Sequence, residues 1–147
     1  MDIEIKRINP TLNELYEIEL LRNQVFHLKT DDVSIKTSYS IFHAIHQRLI
    51  PFGLKINGKL IAGIYVTCLN DSLFIDSIFV HEDYQKSELK IGKKLINAVL
   101  AMKPIFEEYY KKEIHQSKLT AKSTAREFYE KVGYEKEERT PYMVKKI

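Results

Sequence analysis

Residues 81–95 read HEDYQKSELKIGKKL, a set of residue types suited to holding an anion. Lys86, Lys90, Lys93 and Lys94 crowd a stretch whose only glycine is Gly92. An apolar run, 73–80, enters it and an amphipathic run, 91–102, leaves it, so the stretch joins a strand to a helix. A helix start presents unpaired amides and a partial positive charge, and glycine lets a ligand come close to the backbone. Read this way, residues 85–94 form a phosphate site. Charge alone favours a plainer reading, a solvated lysine-rich helix start. Two nucleotide motifs do not fit. A P-loop would need glycine at Ser87 and Ser or Thr at Lys94. A dinucleotide fingerprint needs three glycines where one stands.

Other residues could carry chemistry. Asp76 is an acid inside an apolar strand pattern, on the face of Val80 if side chains alternate regularly. It is a candidate base or a solvent-facing strand charge. His81 adjoins the lysine-rich loop and could carry a proton, although such a histidine is more often plain polar loop surface and is read here as structural. His43 and His46 lie three apart on a helical pattern, a spacing that permits metal binding, but no third ligand accompanies them. Cys68 falls in a strand of core residues, and no metal is expected. Tyr109, Tyr110, Lys111 and Lys112 mix aromatic and basic residues as nucleic-acid binders do, but they form a single cluster at a helix end.

The elements that must position these groups follow from periodicity. Ile3, Ile5 and Ile8 predict a first strand ending near Pro10. Thr11 and Glu14 match a capping box, and Leu15, Ile18, Leu21 and Val25 then recur at helical spacing. A polar stretch, 29–34, carries Asp31 and Asp32. A second helix is expected over 38–48 with Ile41, Phe42 and Ile45 on one face. Asn57-Gly58 between two apolar runs predicts a hairpin, and Asn70-Asp71 leads into 73–80, making a three-stranded antiparallel meander. A helix runs from about Lys90 to Lys103, where Pro104 interrupts it. A short strand at 118–121 follows. Thr124 to Glu127 matches a capping box for a helix stopping at Gly133, and residues 134–147 supply one or two strands.

Composition bounds the class. The chain has 147 residues, 44% hydrophobic and 29% charged, which is globular and long enough for one core. A net charge of +3 does not mark a nucleic-acid binder. No apolar run approaches the ~20 residues of a membrane helix, and the N-terminus lacks a signal pattern. With one cysteine there is no internal disulfide, in keeping with a reducing compartment. A cytoplasmic protein with neither nucleic acid nor membrane as partner is expected. The fold class is α/β of the α+β kind: one domain over 1–147, with a central mixed sheet and helices on both faces.

The chain resembles the GNAT superfamily of acyl-CoA-dependent N-acetyltransferases. Members carry a strand ending in Val, a loop reading Gln/Arg-x-x-Gly-x-Gly/Ala, then a helix. Here Val80 leads to Gln85 and then to Lys90-Ile91-Gly92-Lys93. A second signature, Asn-x-x-Ala-x-x-Phe-Tyr-x-x-x-Gly-Phe/Tyr, is matched by Ala125, Phe128, Tyr129, Gly133 and Tyr134. Leu21-Arg22 with Val25-Phe26 resembles the family's first helix, and the element order matches along nearly the whole chain. There are departures: the loop is two residues longer, Lys90 stands at the first glycine, Glu82 where Pro is common, and Lys122 at the usual Asn.

The resemblance implies a mostly antiparallel sheet and acetyl-CoA as acyl donor, without a metal. Its pyrophosphate would meet the amides from Gln85 to Lys93, chiefly Gln85, Lys90, Ile91, Gly92 and Lys93. Its pantetheine arm would pair with the backbone of Ile78, Phe79 and Val80, and Lys122 and Phe128 would add contacts. The resemblance implies Asp76 as base and Tyr129 as acid for transfer to an amine, on a small molecule or a protein. Asp31 and Asp32 fall on the acceptor side and suggest a cationic acceptor. Self-association into a homodimer stays open. A degenerate relative that binds an acyl-CoA or another phosphorylated ligand, as a sensor or interaction module, is the alternative from another class.

Overall fold

The computed structural model describes residues 1–147. The elements, in order, are β1 Ile3–Arg7, α1 Leu12–Val25, α2 Asp32–Lys36, α3 Tyr39–Ile45, β2 Ile50–Ile56, β3 Lys59–Leu69 and β4 Ser72–Val80. They are followed by α4 Ile91–Leu100, α5 Lys103–Tyr110, β5 Gln116–Thr120, α6 Arg126–Lys131, β6 Glu135–Lys136 and β7 Tyr142–Lys146. One seven-stranded sheet has the order β1-β2-β3-β4-β5-β7-β6. Every neighbouring pair is antiparallel except β4 and β5. Helices α1–α3 bury Leu15, Ile18, Leu21, Ile35 and Ile41 on one face of the sheet, against Tyr65 and Phe79. The other face packs Ile91, Leu95, Ile96 and Val99 of α4 and Phe106 of α5. No helix is long and apolar enough to cross a membrane.

Local chemistry accounts for most boundaries. The Thr11 hydroxyl accepts the Glu14 amide at 3.4 Å, so the first capping box forms. Asn57 and Gly58 both have positive φ, as a type I′ hairpin requires. Gly133, at φ +100, closes α6, with the Tyr134 amide returning to the Tyr129 carbonyl at 3.0 Å.

Four expectations are corrected. The polar stretch around Asp31 contains α2: the Asp31 carboxylate accepts the Ser34 amide at 3.0 Å and caps it, and Ile35 is buried beneath. Pro104 does not stop a helix. The chain turns after Leu100, and Pro104 sits in the first turn of α5, where its missing N–H costs nothing. The Thr124 box does not form, because a 3-10 turn at Ser123–Ala125 takes its place and α6 starts at Arg126 without a side-chain cap. Ile41 is buried, but Phe42 and Ile45 point outward.

Candidate active site

The site begins where two strands part. β4 pairs β3 along its length but meets β5 only from Ser72 to Ile75, opposite Gln116–Leu119. Asp76, the next residue, is the extra residue of a bulge: Ser77 faces Tyr65, while Ile75 faces Val66. The bulge breaks the expected alternation. Leu73 and Ile75 pack on the α4 side, and so do Ile78 and Val80. Asp76 is therefore not on the face of Val80. It accepts the Ser77 hydroxyl at 3.2 Å, on the α1 side of the sheet.

Beyond the bulge the ladder decides which backbone groups are free. The His81 amide donates to the Ile61 carbonyl at 2.8 Å, so residues 77, 79 and 81 face β3. Ile78 and Val80 turn their N–H and C=O groups the other way, into the opening. The Val80 carbonyl accepts the Gln85 side-chain amide at 2.9 Å. Phe79 departs from expectation. Its backbone faces Gly63, and its ring is buried on the α1 side, 5.4 Å from Tyr65. Gly63 is bare because a Cβ there would lie 2.5 Å from that ring.

The loop that follows is short on caps. The Gln85 amide closes a 3-10 turn on Glu82 at 3.4 Å, so it is not free for a ligand. The His81 ring accepts the Asp83 amide at 3.2 Å and starts that turn. Lys90 precedes α4 in the left-handed region, at φ 51 and ψ 54, and supplies no cap. The first helical bond runs from Lys94 to Lys90, at 3.0 Å. The amides of Ile91, Gly92 and Lys93 are therefore left without backbone partners.

A cavity of about 620 Å³ opens here, lined by Gln85–Ser87, Lys90–Lys93, Thr124, Glu127, Phe128, Lys131 and Val132. The Ser87 hydroxyl is buried with no partner. Lys131 pairs with Glu127 at 3.4 Å. A Cβ on Gly92 would lie 3.1 Å from Phe128, so its bareness serves packing against α6 as well as access. Lys122 is exposed ahead of α6, outside the residues that line this cavity.

Tyr129, on α6, stacks edge-on with Phe128 at 5.0 Å and with Tyr134 at 6.1 Å. Burial raises its phenol above the ordinary value of 10, so it stays protonated at neutral pH. Tyr134 is pushed up to about 12 by burial, and its hydroxyl pairs with Ser117 at 2.7 Å.

On the α1 side, sequence reasoning missed the central acid. Glu19 is fully buried. Its carboxylate accepts Tyr65 Oη–H at 2.6 Å, Ser38 Oγ–H at 2.5 Å and Arg22 Nη1–H at 3.3 Å. Burial, then the Glu19 charge, drives the Tyr65 phenol far up. Arg22 Nε–H donates to Ser77 Oγ at 3.4 Å, and the guanidinium lies 5.4 Å from the Phe26 ring. A signal existed: Glu19 follows Leu15 by four and Ile18 by one, on the apolar stripe of α1.

Asp31 and Asp32 are otherwise occupied: Asp31 caps α2 and Asp32 pairs with Lys36 at 3.1 Å. His43 and His46 stack on Tyr39 and Phe42, at 3.8 and 4.3 Å, and no metal-holding cluster includes them.

Residues 47–136, more than half of the chain, match the family model of the acetyltransferase (GNAT) domain. The chain belongs to the GNAT acetyltransferase family. Solved structures share its fold. The PaiA N-acetyltransferase of Thermoplasma acidophilum, in complex with coenzyme A, is 20% identical over all of both chains, with a TM-score of 0.70. The ribosomal-protein-alanine N-acetyltransferase of Brucella melitensis is 18% identical over 95% of this chain and 96% of that one, at 0.67. Tetrahymena GCN5 is 18% identical over 100% and 96%, at 0.66. No curated protein matches the chain.

Proposed function

We propose that this chain is an acetyl-CoA-dependent N-acetyltransferase that passes the acetyl group directly to an amine in a ternary complex. The uncapped start of α4 carries the reading. Three unpartnered amides, at Ile91, Gly92 and Lys93, sit at the positive end of a helix dipole and open on a cavity that also buries the unpartnered Ser87 hydroxyl. That donor set fits a diphosphate. Lys86, Lys90 and Lys93 add positive charge at its rim. The coenzyme A complex of the Thermoplasma relative supports the same reading.

Ile78 and Val80 would hold the pantetheine arm as an added strand, through the groups they turn into the opening. Acetyl-CoA supplies a thioester carbonyl for the amine to attack. Asp76, exposed at the bulge, takes the proton that the amine must lose, because an alkylammonium at neutral pH is no nucleophile. Tyr129, held protonated, gives its phenolic proton to the departing thiolate sulfur. The acceptor is a cationic amine, on a small molecule or a protein, drawn by the exposed carboxylate of Asp76, whereas the buried Glu19 is already offset by Arg22.

Calorimetry with acetyl-CoA tests the reading, followed by thiol release over spermidine, an aminoglycoside, a lysine peptide and a peptide with N-terminal alanine. Binding with turnover of at least one amine is expected. Binding without turnover would turn the reading to an acyl-CoA sensor, and absence of binding would overturn both.

A further inference from the structure

Glu19 has no part in the chemistry proposed above, yet it is a fully buried carboxylate with all its donors drawn from separate elements. Ser38 comes from the start of α3, Tyr65 from β3, and Arg22 from the next turn of α1. Arg22 then reaches the bulge. Its Nε–H can only donate, so Ser77 Oγ must accept it. The single proton of Ser77 is thereby directed to Asp76 Oδ2. One carboxylate oxygen of Asp76 is engaged and Oδ1 is left for the incoming amine. The guanidinium itself is held by Glu19 and by Asn23 Oδ1 at 3.4 Å.

We propose that Glu19 and Arg22 are positioning residues that orient the Asp76 carboxylate through the Ser77 hydroxyl. The proposal rests on Asp76 being the base. Its physical basis is directional. A bulge residue lacks a ladder partner and so has one fewer restraint on its side chain. A chain of hydrogen bonds with one sense, anchored in a buried ion pair, replaces that restraint. Arginine suits the middle position because its fork serves two acceptors in fixed geometry, which lysine cannot do.

The test uses the full chain, acetyl-CoA and the amine of the panel that turns over fastest. Ser77→Ala removes one half-buried hydroxyl and should lower kcat about tenfold, the worth of a hydrogen bond to a charged group, with KM for acetyl-CoA unchanged. Ser77→Thr, which keeps the hydroxyl, should restore the rate to within about threefold of wild type. In an Asp76→Asn background the further loss from Ser77→Ala should shrink to less than about twofold, since interacting sites are not additive. Glu19→Gln keeps the volume and should show the same dependence on Asp76; if it fails to fold, the Ser77 cycle decides alone.

A wild-type rate in Asp76→Asn would overturn the base assignment itself. A tenfold loss from Ser77→Ala that persists in Asp76→Asn, or no loss in Ser77→Ala while Asp76→Asn is slow, would overturn the positioning role and leave the base in place. A crystal structure of Ser77→Ala decides without turnover: a displaced Asp76 carboxylate is expected, and one that kept its place would sink the proposal.

Discussion

The α4 side of the β4–β5 opening is built from backbone, and the α1 side from buried side chains. On the α4 side the usable groups are the amides of Ile91, Gly92 and Lys93, with Ile78 and Val80 across the opening. Any residue type except proline supplies an amide, so this wall tolerates departures such as Lys90 at a glycine position. On the α1 side Glu19, Arg22, Ser38, Tyr65 and Ser77 each depend on a named partner. There a single lost hydroxyl leaves a buried polar group unsatisfied. The contrast teaches that the two walls should fail differently. Damage to the first should change donor affinity, and damage to the second should change stability and the amine step.

Tyr129 is the exception on the backbone wall, a side chain for which we propose a specific role, and it gives the largest expected effect. Tyr129→Phe should slow turnover by about 10²–10⁴, the usual worth of general acid catalysis, with acetyl-CoA affinity and melting temperature near wild type. The raised phenol keeps its proton as pH climbs, so the wild type should not lose its acid below about pH 10. A normal rate in the variant would return Tyr129 to a packing role beside Phe128 and Tyr134.

Gly92→Glu comes next. A carboxylate at the helix start repels a diphosphate and meets Phe128, and binding of acetyl-CoA by calorimetry should weaken about a hundredfold. Gly92→Ala asks the Phe128 ring to yield a few tenths of an ångström and should cost less than about tenfold, since all three amides remain. Unchanged affinity in Gly92→Glu would break the comparison, because the backbone wall would then lie elsewhere.

Tyr65→Phe probes the other wall. It takes one donor from the buried Glu19 carboxylate and should cost about 1–3 kcal/mol in urea denaturation, while acetyl-CoA affinity stays within about twofold. A loss of affinity as large as that of Gly92→Glu would show that the walls are not separable.

Lys90→Gly should have the smallest effect. Lys90 holds a left-handed conformation that costs a side-chain-bearing residue about 1–2 kcal/mol, part of which returns as unfolded-state freedom when glycine replaces it. Stability should rise by about 0.5–1 kcal/mol. Donor affinity should fall no more than about fivefold, the worth of one exposed charge.

The hairpin at Asn57-Gly58, the cap at Thr11, the stop at Gly133 and the helix start after the lysine-rich loop were all legible in the sequence. Each depends on residues within about four positions of one another, where backbone preference and side-chain reach act directly. Helix α2 was hidden because five residues are too few to show a helical period. The Thr124 pattern misled because a 3-10 turn closed through the Ala125 amide and the Lys122 carbonyl, at 2.9 Å, satisfies the same stretch in another way.

The sequence by itself determined the order of most elements, the lysine-rich character of the loop before α4, and the motif residues that place the chain in its family. Only the tertiary structure decided where β4 leaves β5, that Asp76 is a bulge residue, and that Glu19 is buried under three donors. A bulge is a property of two paired strands, since regular alternation along either one gives no sign of it. A buried carboxylate is tolerated only when donors converge on it, here from the distant positions 38 and 65 as well as from Arg22 in the next turn, and no local pattern records the two distant ones.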